Sequence, residues 1–442
     1  MAPKLKIILC LAVLITAALA CDYLPSPGSP EDSGDVIATA VAATMMASED
    51  SPTEEAASAE SPEPAAPTVL KVAFVKDGDV WYWEEGTAPA QLTTLGDVVQ
   101  AFLSDDGQIV AFIRQFDWNN HEIYAVNSDG SNLQALVSLA DFSGMVLEPE
   151  AISAIPYRLA WIPGTHTLAF TTRLTFEGPG LVLPDELRLV DADTGVLSQL
   201  IASGDGGDFY YSPDGSQIAL VNGTRISVVN ADGSGSRELL AFPMVITYSE
   251  YIYYPPVSWS ADSSYLRAAI PPHDPLADPP ETTSVWHLPA DGTPPSSLLT
   301  LAAVPFFQEE VSLSPDLDQA AYLSVVSTGS PPTVDLHIAQ TDGSADVVYA
   351  SGPYSFAGWS PDNEHFIYTE SGNYPRIGRI GDSPADYTGV TLMLDLNWVD
   401  ANRFLYINRL SGSWELWLGD LGGPASLIAS TTGDRIHYSF MN

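Results

Sequence analysis

Side chains able to do chemistry are plentiful in this sequence but scattered. His121, His166, His273, His287, His337, His365 and His437 are dispersed. None pairs at the i, i+4 spacing that puts two ring nitrogens on one helix face around a metal. No G-x-S-x-G is present, so the strained turn that presents a nucleophilic serine is missing. No glycine-rich loop opens a helix in the pattern that cradles phosphate. Paired carboxylates could cleave a glycosidic bond, but 56 Asp and Glu supply such pairs by coincidence. Asp77-Gly78-Asp79 and Asp191-Ala192-Asp193 begin like calcium loops, yet their fifth positions are Trp81 and Gly195. Neither has the glycine at position six that the sharp turn of such a loop needs. The expectation is no catalytic residue, no cofactor and no metal.

The charge narrows the partners. Sixteen Lys and Arg face 56 Asp and Glu, a net charge of −40. A phosphate backbone is repelled by that field, so nucleic acid is excluded. A membrane surface is repelled too, unless a covalent anchor holds the protein there. The same charge favours a soluble monomer. Two cysteines, Cys10 and Cys21, cannot make a disulfide framework.

The N-terminus reads as an address. Lys4 and Lys6 precede an apolar run, Ile7 to Leu19, that is short for a membrane span. Ala18-Leu19-Ala20-Cys21 follows. This resembles a bacterial lipobox, which implies cleavage after Ala20 and lipid attachment at Cys21. The family favours Leu three places before the cysteine, and Ala18 stands there instead. The alternative is a plain secretory signal. Residues 21–67 carry no Lys or Arg and are rich in Pro, Ser, Ala and acids. Uniform charge and low hydrophobicity cannot offset the entropy of ordering, so the segment is expected to be a disordered tether. The expected organisation is a signal over 1–20, the tether over 21–67 and a folded domain over 68–442. The expected location is the extracytoplasmic face of a bacterial membrane, held by lipid alone.

A repeat decides the fold. An aromatic or Leu is followed by Ser-Pro-Asp-Gly or a variant, then by an apolar strand. The copies start at Leu103, Trp161, Tyr211, Trp259, Leu313, Trp359 and Trp398, spaced 58, 50, 48, 54, 46 and 39 apart. Between them fall strands ending in Asp-Gly, as in Ile123 to Gly130 and Ile226 to Gly233. Asp-Gly suits tight hairpins because glycine takes positive φ freely. Each unit reads as four antiparallel strands, a to d, with no long helical pattern. That is an all-β chain, a β-propeller. Seven anchors open seven blades. Val72–Val75, Val80–Trp83 and Ala90–Thr93 supply strands b to d of one more, and Arg435–Phe440 supplies its strand a. Pairing the C-terminal strand with the N-terminal blade closes an eight-bladed ring; seven blades is the alternative. Tyr211 to Gly233 resembles the repeat of TolB-type propellers. That family includes partner-binding proteins and the gating domains of prolyl oligopeptidases, so the resemblance implies the fold and leaves the function open.

Function is expected on the loops. The a–b and c–d turns lie on one face of an antiparallel blade and are short here. The b–c and d–a connections lie on the other and are long: 115–121, 141–155, 174–184, 243–256, 271–283, 304–310 and 326–333. Variable loops on a rigid scaffold commonly carry binding. Trp118 in one loop and Tyr248, Tyr251, Tyr253 and Tyr254 in another are the candidate binding residues, since Trp and Tyr give large contact area at low entropy cost. The repeated tryptophans Trp161, Trp259, Trp359 and Trp398 are expected to pack between blades. The favoured reading is a non-catalytic module binding an envelope protein, peptide or glycan. The alternatives are a small-ligand sensor, or a carbohydrate-active enzyme with carboxylates at the central channel.

Overall fold

The computed structural model describes residues 69–441, apart from 147, 178–181, 280, 303–310, 330, 371–373, 383–384 and 388–391. The expected signal, Cys21 and the tether lie outside the described residues. No helix among them is long and apolar enough to cross a membrane.

The described chain forms eight four-stranded antiparallel sheets. Blade 2 is representative: strand a is Val98–Leu103, b is Ile109–Gln115, c is His121–Asn127 and d is Gln134–Val137. Strand b reads Ile-Val-Ala-Phe-Ile and is buried over all five residues. It has another blade on each side, so it needs apolar groups at consecutive positions and no polar alternation. Strand d lies outermost and is more exposed, as in Asp346–Gly352. One hydrophobic cluster fills each junction between neighbouring blades, eight in all, and the last joins blade 8 to blade 1 through Leu405, Ile407, Leu70 and Val72.

Blade 1 is composite, as the sequence predicts. Its strands b, c and d are Lys71–Lys76, Asp79–Glu84 and Ala90–Gln91. Strand a is Tyr438–Met441, registered Phe74↔Tyr438 through Lys71↔Met441. It begins three residues later than the sequence pattern suggests, although His437 already accepts a bond from the Val75 amide at 2.8 Å.

The repeated phrase is a self-contained turn. In all five Ser-x-Asp copies the serine hydroxyl donates to the aspartate two residues on: Ser104 to Asp106, Ser212 to Asp214, Ser260 to Asp262, Ser314 to Asp316 and Ser360 to Asp362. The serine oxygen also accepts the amide five residues ahead, at 2.9–3.1 Å. The aspartate accepts the amide two residues on. These oxygens are spent on the turn. Such bonds favour the charged carboxylate, and they hold Asp214 and Asp262 at a pKa of about 2. The sign follows by linkage. A carboxyl depressed on folding adds stability above its unfolded pKa, and that stability is lost as pH falls through about 2. Ser212→Ala is expected to raise the pKa of Asp214, read by carbon NMR of the carboxyl, and to move acid unfolding to higher pH.

The repeated tryptophans stitch blades together. Each indole Nε1 donates to a carbonyl on strand a of the preceding blade: Trp161 to Phe102 at 3.1 Å, Trp259 to Tyr210 at 2.9 Å, Trp359 to Ser312 at 3.1 Å and Trp398 to Gly358 at 3.3 Å. Strand a is the inner edge of its sheet, so its outward carbonyls have no ladder partner. The indole supplies one while its ring fills the junction. Close packing continues beneath: Phe366 and Phe404 lie across Gly378 and Gly419 on the neighbouring strand, where a Cβ would meet the rings at 2.1 and 2.4 Å. Several buried side-chain polar groups are left without a hydrogen-bond partner among the described residues, including a tyrosine hydroxyl on strand a of blade 4. The Tyr211 hydroxyl has no partner among the described residues. Burying a hydroxyl unpaired is unfavourable. Tyr211→Phe is therefore expected to raise stability by about 1 kcal/mol, measured by denaturant unfolding.

Candidate functional site: the long-loop face

The two faces of the disc differ in construction. On one, the short a–b and c–d turns bind each other. His166, in the a–b turn of blade 3, lies 3.0 Å from Asp106 of blade 2 and 3.0 Å from Asp193 in its own blade's c–d turn. The hydrogen bond to Asp106 leads the effects that raise the pKa of His166. A raised histidine adds stability below its unfolded pKa and loses it as pH rises through the folded value. Wild type should thus lose stability relative to His166→Gln on going from pH 6 to pH 8. The difference should stay below about 1 kcal/mol, because the carboxylates are partly exposed, and paired melting curves would read it.

The opposite face carries the b–c and d–a connections. Their common side is fixed by blade 1, where the Gly78 carbonyl of the b–c turn accepts the amide of Val98, which follows the d–a connection. A Cβ on Gly78, at φ 78°, would lie 2.5 Å from Gly96 in that connection. Exposed large apolar side chains on this face include Trp118, Met244, Ile246, Tyr251, Ile252 and Leu276.

Trp118 is presented by a locked turn. Asp117 accepts the Asn119 amide at 2.8 Å and the Asn120 side-chain amide at 2.8 and 2.9 Å. The Phe116 amide donates to Asn120 across the turn. Those bonds hold the Asp117 carboxyl below its usual range. Trp118 stands at the tip, 84% exposed.

The tyrosine cluster divides by direction. Tyr248 and Tyr251 are exposed; Tyr253 is buried at 9% and forms a small core of its own with Val245. Tyr254 points inward, and its hydroxyl donates to Asp185 at 2.6 Å. Tyr248 has φ 54°, unfavourable for a bulky residue. Its hydroxyl donates to Asp274 at 2.6 Å, which ties the 242–256 loop to the b–c loop of blade 5. The Ile246 amide donates to the His273 carbonyl at 2.8 Å, and His273 Nδ1 lies 2.6 Å from the Met244 carbonyl. The candidates therefore do not form one cluster: Tyr248 and Tyr251 share a surface, and Trp118 stands on a loop of another blade. The 304–310 loop falls outside the described residues.

At the inner ends of strands a is a polar group that sequence reasoning missed. Arg158 donates to Asp208 at 3.0 Å, and its guanidinium lies 4.2 Å from the Tyr210 ring centroid. Burial raises the carboxyl pKa of Asp208, against the pull of Arg158. Burial also raises Asp185, opposed by the bond from Tyr254. An open hollow of about 370 Å³ adjoins Arg158 and is lined by Trp161, Tyr210 and Trp259. The partners lie 50 and 69 residues apart, and no repeat phrase marks them.

Two members of one possible cation-ligand group are engaged in the protein's own bonds. Asp362, Glu364 and His365 lie within 4.8 Å of one another on the short-turn face. However, Asp362 accepts its own turn amide and Glu364 pairs with Arg379 at 2.6 Å. Asp79 accepts from Thr93, Leu95 and Gly96, which shapes the d–a loop of blade 1.

No protein-family model and no curated protein matches the sequence. Solved structures do. TolB of Acinetobacter baumannii aligns at 15% identity over 62% of each chain, with a TM-score of 0.33. The propeller domain of the Trilobed protease of Pyrococcus furiosus aligns at 14% identity over 62% of this chain and 85% of that one, with a TM-score of 0.44. An oligogalacturonate lyase of Vibrio parahaemolyticus aligns at 13% identity over 70% of this chain and 81% of that one, with a TM-score of 0.44. The neighbours thus include TolB and other propeller proteins. They leave both an interaction module and an enzyme open.

Proposed function

We propose that this chain is a lipid-anchored extracytoplasmic propeller that binds a protein, peptide or glycan of the cell envelope through its long-loop face. One observation carries the reading. Exposed Trp, Tyr, Ile and Met side chains stand on loops held by hydrogen bonds, on the face that the scaffold turns leave free. Such residues are enriched at binding surfaces, and loops already ordered lower the entropy lost on association. The lipobox-like Ala18-Leu19-Ala20-Cys21 supports the anchor. Labelling with a radioactive fatty acid should mark the wild-type chain and leave Cys21→Ser unlabelled. For the binding role, the intact lipoprotein is cross-linked in native membranes and purified beside a Trp118→Ala/Tyr251→Ser variant. A stoichiometric partner captured by the wild type and lost by the variant supports the role. A partner captured equally by both contradicts it.

A second reading has its own observation. Burial raises the pKa values of the Asp185 and Asp208 carboxyls, the state that acid catalysis on a polysaccharide uses. Turnover of a polysaccharide panel, abolished by Asp208→Asn, would favour it.

A further inference from the structure

The segment from Met244 to Tyr248 runs in strict alternation of exposure. Met244, Ile246 and Tyr248 are exposed, while Val245 and Thr247 between them are buried. In a segment with this period the outward positions ordinarily carry polar groups. Here they carry Met, Ile and Tyr. Tyr251 and Ile252 are exposed further along the loop, and Leu276 is exposed on the b–c loop of blade 5, where its amide donates to the same Asp274 that accepts from the Tyr248 hydroxyl.

The surface is built. Val245 and Tyr253 pack beneath it. Thr247 donates to the Tyr251 carbonyl at 2.7 Å and closes the loop on itself. The bonds of His273 and Asp274 fix the second loop to the first. Below, a Cβ on Gly223 would lie 2.4 Å from Ile252 Cγ2 and 3.8 Å from Met244 Cγ, so the patch rests on the b–c turn of blade 4.

Charge identifies the occupant. The two loops, 242–256 and 271–283, contain Glu250, Asp274, Asp278 and Glu281 and no Lys or Arg. Glu250, Asp278 and Glu281 are exposed. An apolar patch rimmed by one sign of charge favours the opposite sign around the partner's apolar residues. The net charge of −40 steers the same partner toward the face and repels an acidic one.

We infer that the surface formed by Met244, Ile246, Tyr251, Ile252 and Leu276 docks a cationic amphipathic peptide segment, apolar residues on one side and Lys or Arg on the other. The inference rests on the long-loop face being the working face and names the class of partner it takes. Methionine adapts to aliphatic side chains of varied shape, and the acidic rim gives the selectivity.

The test uses the full chain made without lipid by Cys21→Ser. Its probes are an amphipathic Leu/Lys peptide of 18 residues, the matching Leu/Glu peptide and an 18-residue oligolysine. Binding is followed by fluorescence anisotropy at low and high salt. The Leu/Lys peptide should bind at least tenfold tighter than either control and weaken as salt rises. Tyr251→Ser/Ile252→Ser should weaken it about a hundredfold. Glu250→Gln/Asp278→Asn/Glu281→Gln should bring it to the level of the Leu/Glu peptide. Gly223→Val, which disturbs the seat of the patch without changing an exposed residue, should weaken it too. Equal binding of both amphipathic peptides, binding unaffected by the patch substitutions, no binding of the Leu/Lys peptide, or tighter binding to anionic lipid vesicles than to that peptide would each overturn the inference. The broader reading is judged separately, by native cross-links from Trp118 on the blade 2 loop, so the two failures are distinguishable.

Discussion

Removal of residues 435–442 should abolish the single cooperative unfolding transition of the propeller. This segment supplies strand a of blade 1, four ladder positions against Lys71–Phe74. It also supplies bonds across the ring. Ser439 Oγ accepts the Leu103 amide at 2.6 Å and His437 Nδ1 accepts the Ala101 amide at 3.3 Å, both from strand a of blade 2. On the other side, the Tyr438 hydroxyl donates to the Leu405 carbonyl of blade 8 at 3.1 Å. Ile436 is buried in the junction of blades 8 and 1. Deletion strips a ladder, exposes an inner sheet edge and opens a hydrophobic junction together. Each loss is worth a few kcal/mol, against a net stability of about 5–15 kcal/mol for a typical folded domain. Calorimetry of the shortened chain should show a broad, low-temperature transition. A synthetic peptide of residues 435–442 added in excess should partly restore the sharp one. An unchanged melting curve would mean that the ring does not depend on its closing strand.

The second large effect is on binding. Tyr251→Ser/Ile252→Ser should reduce partner affinity about a hundredfold while moving folding stability by no more than about 1 kcal/mol. Exposed surface positions rarely contribute more than half a kcal/mol to folding, whereas a buried aromatic or aliphatic anchor in an interface is worth 2 kcal/mol or more. Tyr253→Ser is the contrasting change. Its ring packs on Val245, and its loss should lower stability by about 2–4 kcal/mol. Titration calorimetry with the cross-linked partner, beside denaturant melts of the three proteins, separates the two effects. Equal stability losses from both substitutions would mean that the exposed residues hold the loop and do not bind.

Much of the scaffold was legible because its physics is local and repeated. Ser-x-Asp turns bond within a few residues, so Ser212 to Gln217 predicts its own geometry. Trp398 recurs without a full Ser-Pro-Asp phrase and still makes the same inter-blade bond as Trp161. Even the composite first blade could be inferred, because three unpaired strands at one end and one at the other leave a single way to remove both edges. The site was less legible because direction decides it. Tyr251, Tyr253 and Tyr254 look alike in sequence, but Tyr254 turns toward Asp185 of the preceding blade and Tyr253 toward Val245. Arg158 and Asp208 meet only because neighbouring blades place their inner strands side by side. Met244 and Ile246 read as ordinary residues of the 243–256 loop until the fold shows which side of the segment is covered.

The central claim is that the long-loop face is the working face. Site-specific photo-cross-linking in native membranes tests it most directly. A photoreactive side chain is placed at Trp118 or Tyr251 on that face, and at Leu133 or Val196, which are exposed on the c–d turns of the opposite face. Stoichiometric adducts with one partner from the first two positions, and none from the second two, are the predicted result. Adducts arising equally or preferentially from Leu133 and Val196 would contradict it.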